Sequence, residues 1–166
     1  MDNMQVKTLC ETARASLKQA IATLEQFLNA STLDGLSEGA EDDIRAFNRD
    51  FISDMRHLLV FAEVHDEKLG IVLRRPNFAV EQASKVLYDV YHQCINRFYF
   101  PKNECYSEDG RYAYTGQDAI RFRKKPSRAV RDLTLDMSKL FEPLREQLAY
   151  YENDYVNDLR MQGERL

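Results

Sequence analysis

FPKNECYSEDGRYAYTGQDAIRFRKK, residues 100–125, is the one long stretch in which helical periodicity gives way to alternation and turn chemistry. Asp109-Gly110 lies between Tyr106-Ser107-Glu108 and Arg111-Tyr112-Ala113-Tyr114. An Asp-Gly pair flanked by alternating residues is a strong β-hairpin signal. Thr115-Gly116-Gln117-Asp118 makes a second turn, and Ala119 to Lys124 alternates again. That alternation predicts Ile120 and Phe122 turned inward, with Arg121 and Arg123 turned outward. Pro101 closes the helix before this stretch, and Pro126-Ser127 restarts one after it, with Ser127 as the N-cap.

The flanking chain is patterned for long helices. Val6, Cys10, Ala13, Leu17, Ala20, Leu24 and Phe27 recur every three or four residues and define one helical face. Asn29 to Gly39 is turn-rich, with Asp34-Gly35 as the expected tight turn. A second helix is predicted from near Ala40 to about His65, with Ile44, Phe47, Phe51, Met55, Leu58 and Ala62 inside. In LGIVLRR (69–75), Gly70 and the β-branched Ile71-Val72 favour a short strand over residues 69–73. The competing reading continues the helix to Arg75. A third helix opens near an Asn77 N-cap and buries Val80, Ala83, Leu87, Val90, Cys94 and Phe98. The fourth runs from Ser127 to near Leu159, across Pro143.

The expected fold is therefore a single mainly α domain over residues 1–166. It is an antiparallel four-helix bundle with a small antiparallel β-hairpin or meander inserted between helices three and four. A length of 166 residues with 44% hydrophobic and 30% charged residues suits a globular core. No apolar run is long enough to span a bilayer, and the first residues lack a secretory pattern. Cys10, Cys94 and Cys105 are scattered and odd in number, as in a cytoplasmic protein with reduced thiols.

YHQCINRFYFPKNECYSEDGRYAYTGQDAIRFRKKP (91–126), together with EQLAYYENDY (146–155), resembles the YpuI-like proteins of Bacillus and related bacteria. The resemblance extends over most of the chain. It implies a small cytoplasmic bacterial protein of an uncharacterised family, and it supplies no catalytic residues.

The net charge of −4 hides an asymmetry. Nine Lys/Arg stand against four Asp/Glu between Arg97 and Arg131, which leaves 14 basic and 23 acidic residues elsewhere. A basic segment on an acidic body points to an anionic partner, either an acidic protein surface or a nucleic acid. The candidate contact residues are Arg111, Tyr112, Tyr114, Arg121, Arg123, Lys124 and Lys125. Guanidinium groups contact phosphates or carboxylates, and exposed rings stack on bases. Arg74 and Arg75 would join them if LGIVLRR paired with AIRFRKK. The ordinary structural alternative packs the rings onto the bundle and pairs the charges with acidic helices.

Other chemistries are thinly represented. Glu-x-x-His pairs, HExxH, paired cysteines, GxSxG, a P-loop and a dinucleotide fingerprint are all missing, and no cofactor is implied. The rival reading is a metal- or small-ligand-binding bundle, an enzyme among its forms, with a site near His57, His65 and His92. Cys94 is two residues from His92, a spacing that turns them apart on a helix. Cys105 is expected to be the solvent-facing thiol, with Lys102 nearby. The helix-one seam and Tyr150, Tyr151 and Tyr155 suggest a homodimer surface. The preferred reading is a cytoplasmic, non-catalytic binding or adaptor protein.

Overall fold

The computed structural model of the protein describes residues 2–107 and 120–163. Five helices occur among the described residues: α1 (Asn3–Ala30), the single-turn α2 (Leu33–Leu36), α3 (Asp42–Arg74), α4 and α5 (Arg128–Met161). Helix α4 begins at Val80–Val90, widens into a π turn at Tyr91–Ile95 and ends in an α turn at Asn96–Tyr99. Helix α1 packs against α3, α5 and α4, which makes it the shared wall of the core. None of these helices is long and apolar enough to cross a membrane.

Local chemistry explains the helix ends. Asp2 accepts the Gln5 amide at 2.8 Å while its own amide donates to the Gln5 side chain at 2.9 Å. This reciprocal box satisfies two N–H groups that the first turn of α1 leaves open. Thr32 caps α2 by accepting from the Gly35 amide at 3.0 Å, so the turn expected at Asp34-Gly35 is a helical turn. Ser127 caps α5 as its position predicts, accepting from the Val130 amide. Asn77 does not cap α4, whose N-cap is Ala79.

The strand expected at 69–73 is helix. Leu69 and Val72 continue the buried stripe of α3, in helical step with Ala62 and His65. Gly70 has a packing cause rather than a strand one. The Arg14 side chain from α1 lies across it, and a Cβ there would come within 2.7 Å of the guanidinium. Arg14 reaches over the glycine to Asp66, its Nε 3.2 Å from the carboxylate. Among the described residues Arg75 makes no pairing with 120–125; its guanidinium donates to Gln82.

The β insertion is also corrected. Among the described residues there is no strand, only a single antiparallel bridge between Tyr106 and Phe122. The Ser107 amide donates to the Arg121 carbonyl at 2.9 Å, and the Arg123 amide to the Cys105 carbonyl at 3.0 Å. Among the described residues pairing is confined to this bridge, because the core dictates the path of both segments. Glu104, with φ of 50°, turns the chain just before the bridge, and Ile120, Tyr106 and Phe122 are drawn into the bundle. The hairpin expected at Asp109-Gly110 and the second turn at 115–118 lie outside the described residues.

What the connector contributes is aromatic core. Phe122 meets Tyr106 edge-on at 5.6 Å and Phe51 and Phe47 at 6.3 Å each. Tyr106 meets Phe98 of α4, which meets Phe141 of α5, while Phe51 meets Phe27 of α1. Edge-to-face pairs of this kind add about 0.5–1.5 kcal/mol each beyond burial. The connector is thus stitched to α1, α3, α4 and α5 through one run of rings.

Candidate functional site

The inward half of the predicted alternation is realised: Ile120 and Phe122 pack against the core, and Arg121 and Arg123 are exposed. Two of the cations have structural employment. Arg123 donates through Nε to the Tyr106 carbonyl at 3.0 Å and lies 3.5 Å from the Glu104 carboxylate. Lys124 reaches Asp43 at the start of α3, 3.2 Å away, and that bond holds the Asp43 carboxyl below the usual carboxylate range. Arg121, Lys125 and Arg131 are exposed and form no ion pair with a described residue, while Arg128 is 3.7 Å from Asp132. Residues 121–131 thus carry six cations and no acid of their own. Arg111, Tyr112 and Tyr114 lie outside the described residues.

The three histidines do not converge. His57 is exposed on α3. His65 is buried, with Nδ1 2.6 Å from the Phe61 carbonyl oxygen and 3.6 Å from the Cys94 sulfur. His92 is turned toward α5, with Nε2 2.6 Å from Glu152. No group of three His, Cys, Asp or Glu side chains is disposed to hold a metal among the described residues. Among the described residues, then, His57, His65 and His92 do not form one cluster.

Cys94 meets His65 from another helix, a partner that local spacing does not reveal. Burial pushes the Cys94 thiol up to about 12 and the His65 imidazole down, so both remain neutral. A neutral thiol beside a neutral imidazole is packing, not an activated nucleophile. Cys105, expected at the surface, is only 2% exposed. Its side chain is carried inward beside Tyr106 by the bend at Glu104.

Two polar clusters went unread in the sequence. Asp54, on the buried side of α3, is 4% exposed and receives the Asn103 backbone amide at 3.3 Å and side-chain amide at 2.9 Å. Burial raises its carboxyl above the ordinary range, opposed by those Asn103 bonds. The second is the π turn, where His92 packs against the Tyr88 and Tyr91 rings and bonds Glu152 of α5. An acidic residue at a helical face position is the only signal that could have flagged Asp54. Its partner is 49 residues away.

All seven stripe residues of helix α1 are buried in the protein's own core. Tyr151 bonds Ser84, and Tyr155 stacks on Tyr151. Tyr150 alone of the three is largely exposed, at one edge of an open groove of about 650 Å³ shared with Met4 and Leu9.

Comparison with known proteins adds kinship without an activity. The uncharacterised protein YpuI of Bacillus subtilis (strain 168) is 36% identical over 137 residues, covering 82% of this chain and 75% of the relative. No solved structure matches. The family model for DUF3907, described as a protein of unknown function, matches residues 10–157. The chain belongs to this family of proteins of unknown function.

Proposed function

We propose that the protein is a cytoplasmic, non-catalytic binding protein that docks an acidic protein segment on the cationic ledge formed by residues 121–131. The observation that carries this reading is the set of exposed cations Arg121, Lys125 and Arg131, none of them in an ion pair among the described residues, on a segment anchored by Phe122. An anchored ledge presents its charges with little ordering cost on binding. Arg111, Tyr112 and Tyr114 extend the proposed surface by sequence adjacency. The described rings favour a protein over a nucleic acid as partner. Tyr106 is fully buried and Phe122 is spent on the core, so neither offers a face for base stacking.

The test is fluorescence anisotropy with a labelled oligo-glutamate peptide and a labelled single-stranded RNA, at low and near-physiological salt. The expected result is peptide binding that weakens with salt, lowered at least tenfold in an Arg121→Glu, Lys125→Glu, Arg131→Glu variant. Tighter binding of RNA, lost in the same variant, would change the partner class. No binding of either probe at low salt would refute the reading.

A further inference from the structure

We propose that the π turn of α4 builds a second, separate site, which holds the phosphate group of a small phosphate monoester between Arg97 and Lys102. An open surface pocket of about 220 Å³ is lined by His92, Asn96, Arg97, Phe100 and Lys102. Among the described residues no carboxylate lines it, and Glu152 is drawn onto His92.

The π turn is the reason these residues meet. In a regular α-helix, residues five apart point about 140° away from each other. Here the Asn96 amide bonds the Tyr91 carbonyl five residues back, and in such a turn residues four and five apart share a face. His92, Asn96 and Arg97 therefore line one wall. Lys102, which follows Pro101, completes the lining, and the backbone beside it is anchored through Asn103, which is bonded to both Asp54 and Asp50.

The site is preorganised. The Arg97 guanidinium is 4.2 Å above the Phe61 ring, a cation–π contact that fixes its direction. Its Nε is buried and has no hydrogen-bond partner among the described residues. Enclosed as it is, Nε is not open to a ligand in the pocket, so the donors that Arg97 can offer there are its terminal amino groups. Cations at the end of a helix also suit its dipole. That role requires neither the clamp on Phe61 nor the convergence with Asn96 and His92.

The chemistry selects the ligand. Arg97 offers a forked donor, Lys102 a compact charge and Asn96 an amide, a set suited to the oxygens of a phosphate. Phe100, 44% exposed, gives an apolar wall for the carbon side of an ester. The volume is below the roughly 300–1,000 Å³ of drug-sized sites, which favours a phosphate on a few carbons over a nucleotide.

The experiment is calorimetric and NMR titration of the intact protein with inorganic phosphate and with glycerol 3-phosphate, using glycerol as the control. Vesicles of phosphatidylcholine with and without phosphatidate distinguish a lipid headgroup from a free monoester. Saturable binding of glycerol 3-phosphate, with shifts in the His92 ring and Asn96 side-chain resonances, is expected. Arg97→Gln and Lys102→Gln should each weaken it about tenfold or more, while Lys85→Gln leaves it unchanged. Lys102 is exposed, so its variant carries the test if Arg97→Gln does not fold. Binding to phosphatidate vesicles alone would assign the same pocket to a headgroup. Saturation of none of the phosphate probes, or equal affinity in both pocket variants, would overturn the proposal. The ledge variant Arg121→Glu, Lys125→Glu, Arg131→Glu should bind phosphate as the parent does.

Discussion

Asn103→Ala should cost far more than its exposed position suggests, and the cost should grow with pH. Asn103 makes two bonds to Asp54 and one to the Asp50 carbonyl, and only the backbone bond to Asp54 survives truncation. The side-chain bond at 2.9 Å ends on a carboxylate that is 4% exposed. Losing a hydrogen bond to a buried charge costs about 1.5–3 kcal/mol, and the Asp50 bond adds about 0.5 kcal/mol. The expected loss at neutral pH is therefore about 2–3.5 kcal/mol, a large share of a typical domain's stability.

The pH dependence follows from the raised Asp54 carboxyl. A carboxyl raised on folding contributes its stability fully below the unfolded value, about 3.9, and loses it as pH rises through the folded value. Removing the Asn103 amide raises the folded value further. The loss in the variant should thus be smallest below about pH 4 and increase toward neutrality. Urea denaturation monitored by circular dichroism at a series of pH values measures it. A loss of under about 0.5 kcal/mol at neutral pH, or one that does not vary with pH, would refute the assignment of Asn103 as the group that compensates a buried charge.

Two further outcomes are expected. Gly70→Ala should be close to neutral, because the helical gain of about 1 kcal/mol is offset when the new Cβ displaces Arg14 from Asp66. In an Arg14→Ala background the same substitution should stabilise by about 1 kcal/mol, and a double-mutant cycle by thermal denaturation reads the difference. The thiols should resist maleimide at pH 8 until the protein is unfolded, since burial pushes Cys10 and Cys94 to about 12 and Cys105 is enclosed. Intact-mass analysis of native and denatured protein checks this, and rapid native labelling at any of the three would contradict the packing.

Periodicity revealed the long helices because a buried stripe must recur at the helical repeat whatever it packs against. The residues from Val6 to Phe27 and from Val130 to Tyr151 needed no tertiary information. Gly70 misled because its usual meanings are entropic, whereas here it makes room for an arginine 56 positions earlier in the chain. Cys105 misled because exposure was judged from position in a connector, and that connector turns inward at Glu104. The candidate ledge was legible in part: alternation shows which residues of 120–123 face out, but not that Arg123 and Lys124 are engaged by Glu104 and Asp43.

By itself, then, the sequence determined a mainly helical single-chain core, its stripe residues, the cap at Ser127 and a basic segment on an acidic body. These are local properties, set by spacing along one helix or by composition. The tertiary structure decided the rest: one bridge between the flanks of the connector, the aromatic run through Tyr106 and Phe122, and the separation of the histidines. It also decided the burial of Asp54 against Asn103 and the π turn that brings His92, Asn96 and Arg97 to one wall. Each of these depends on partners dozens of residues apart, or on a helical register that yields to core packing. Neither leaves a period in the sequence.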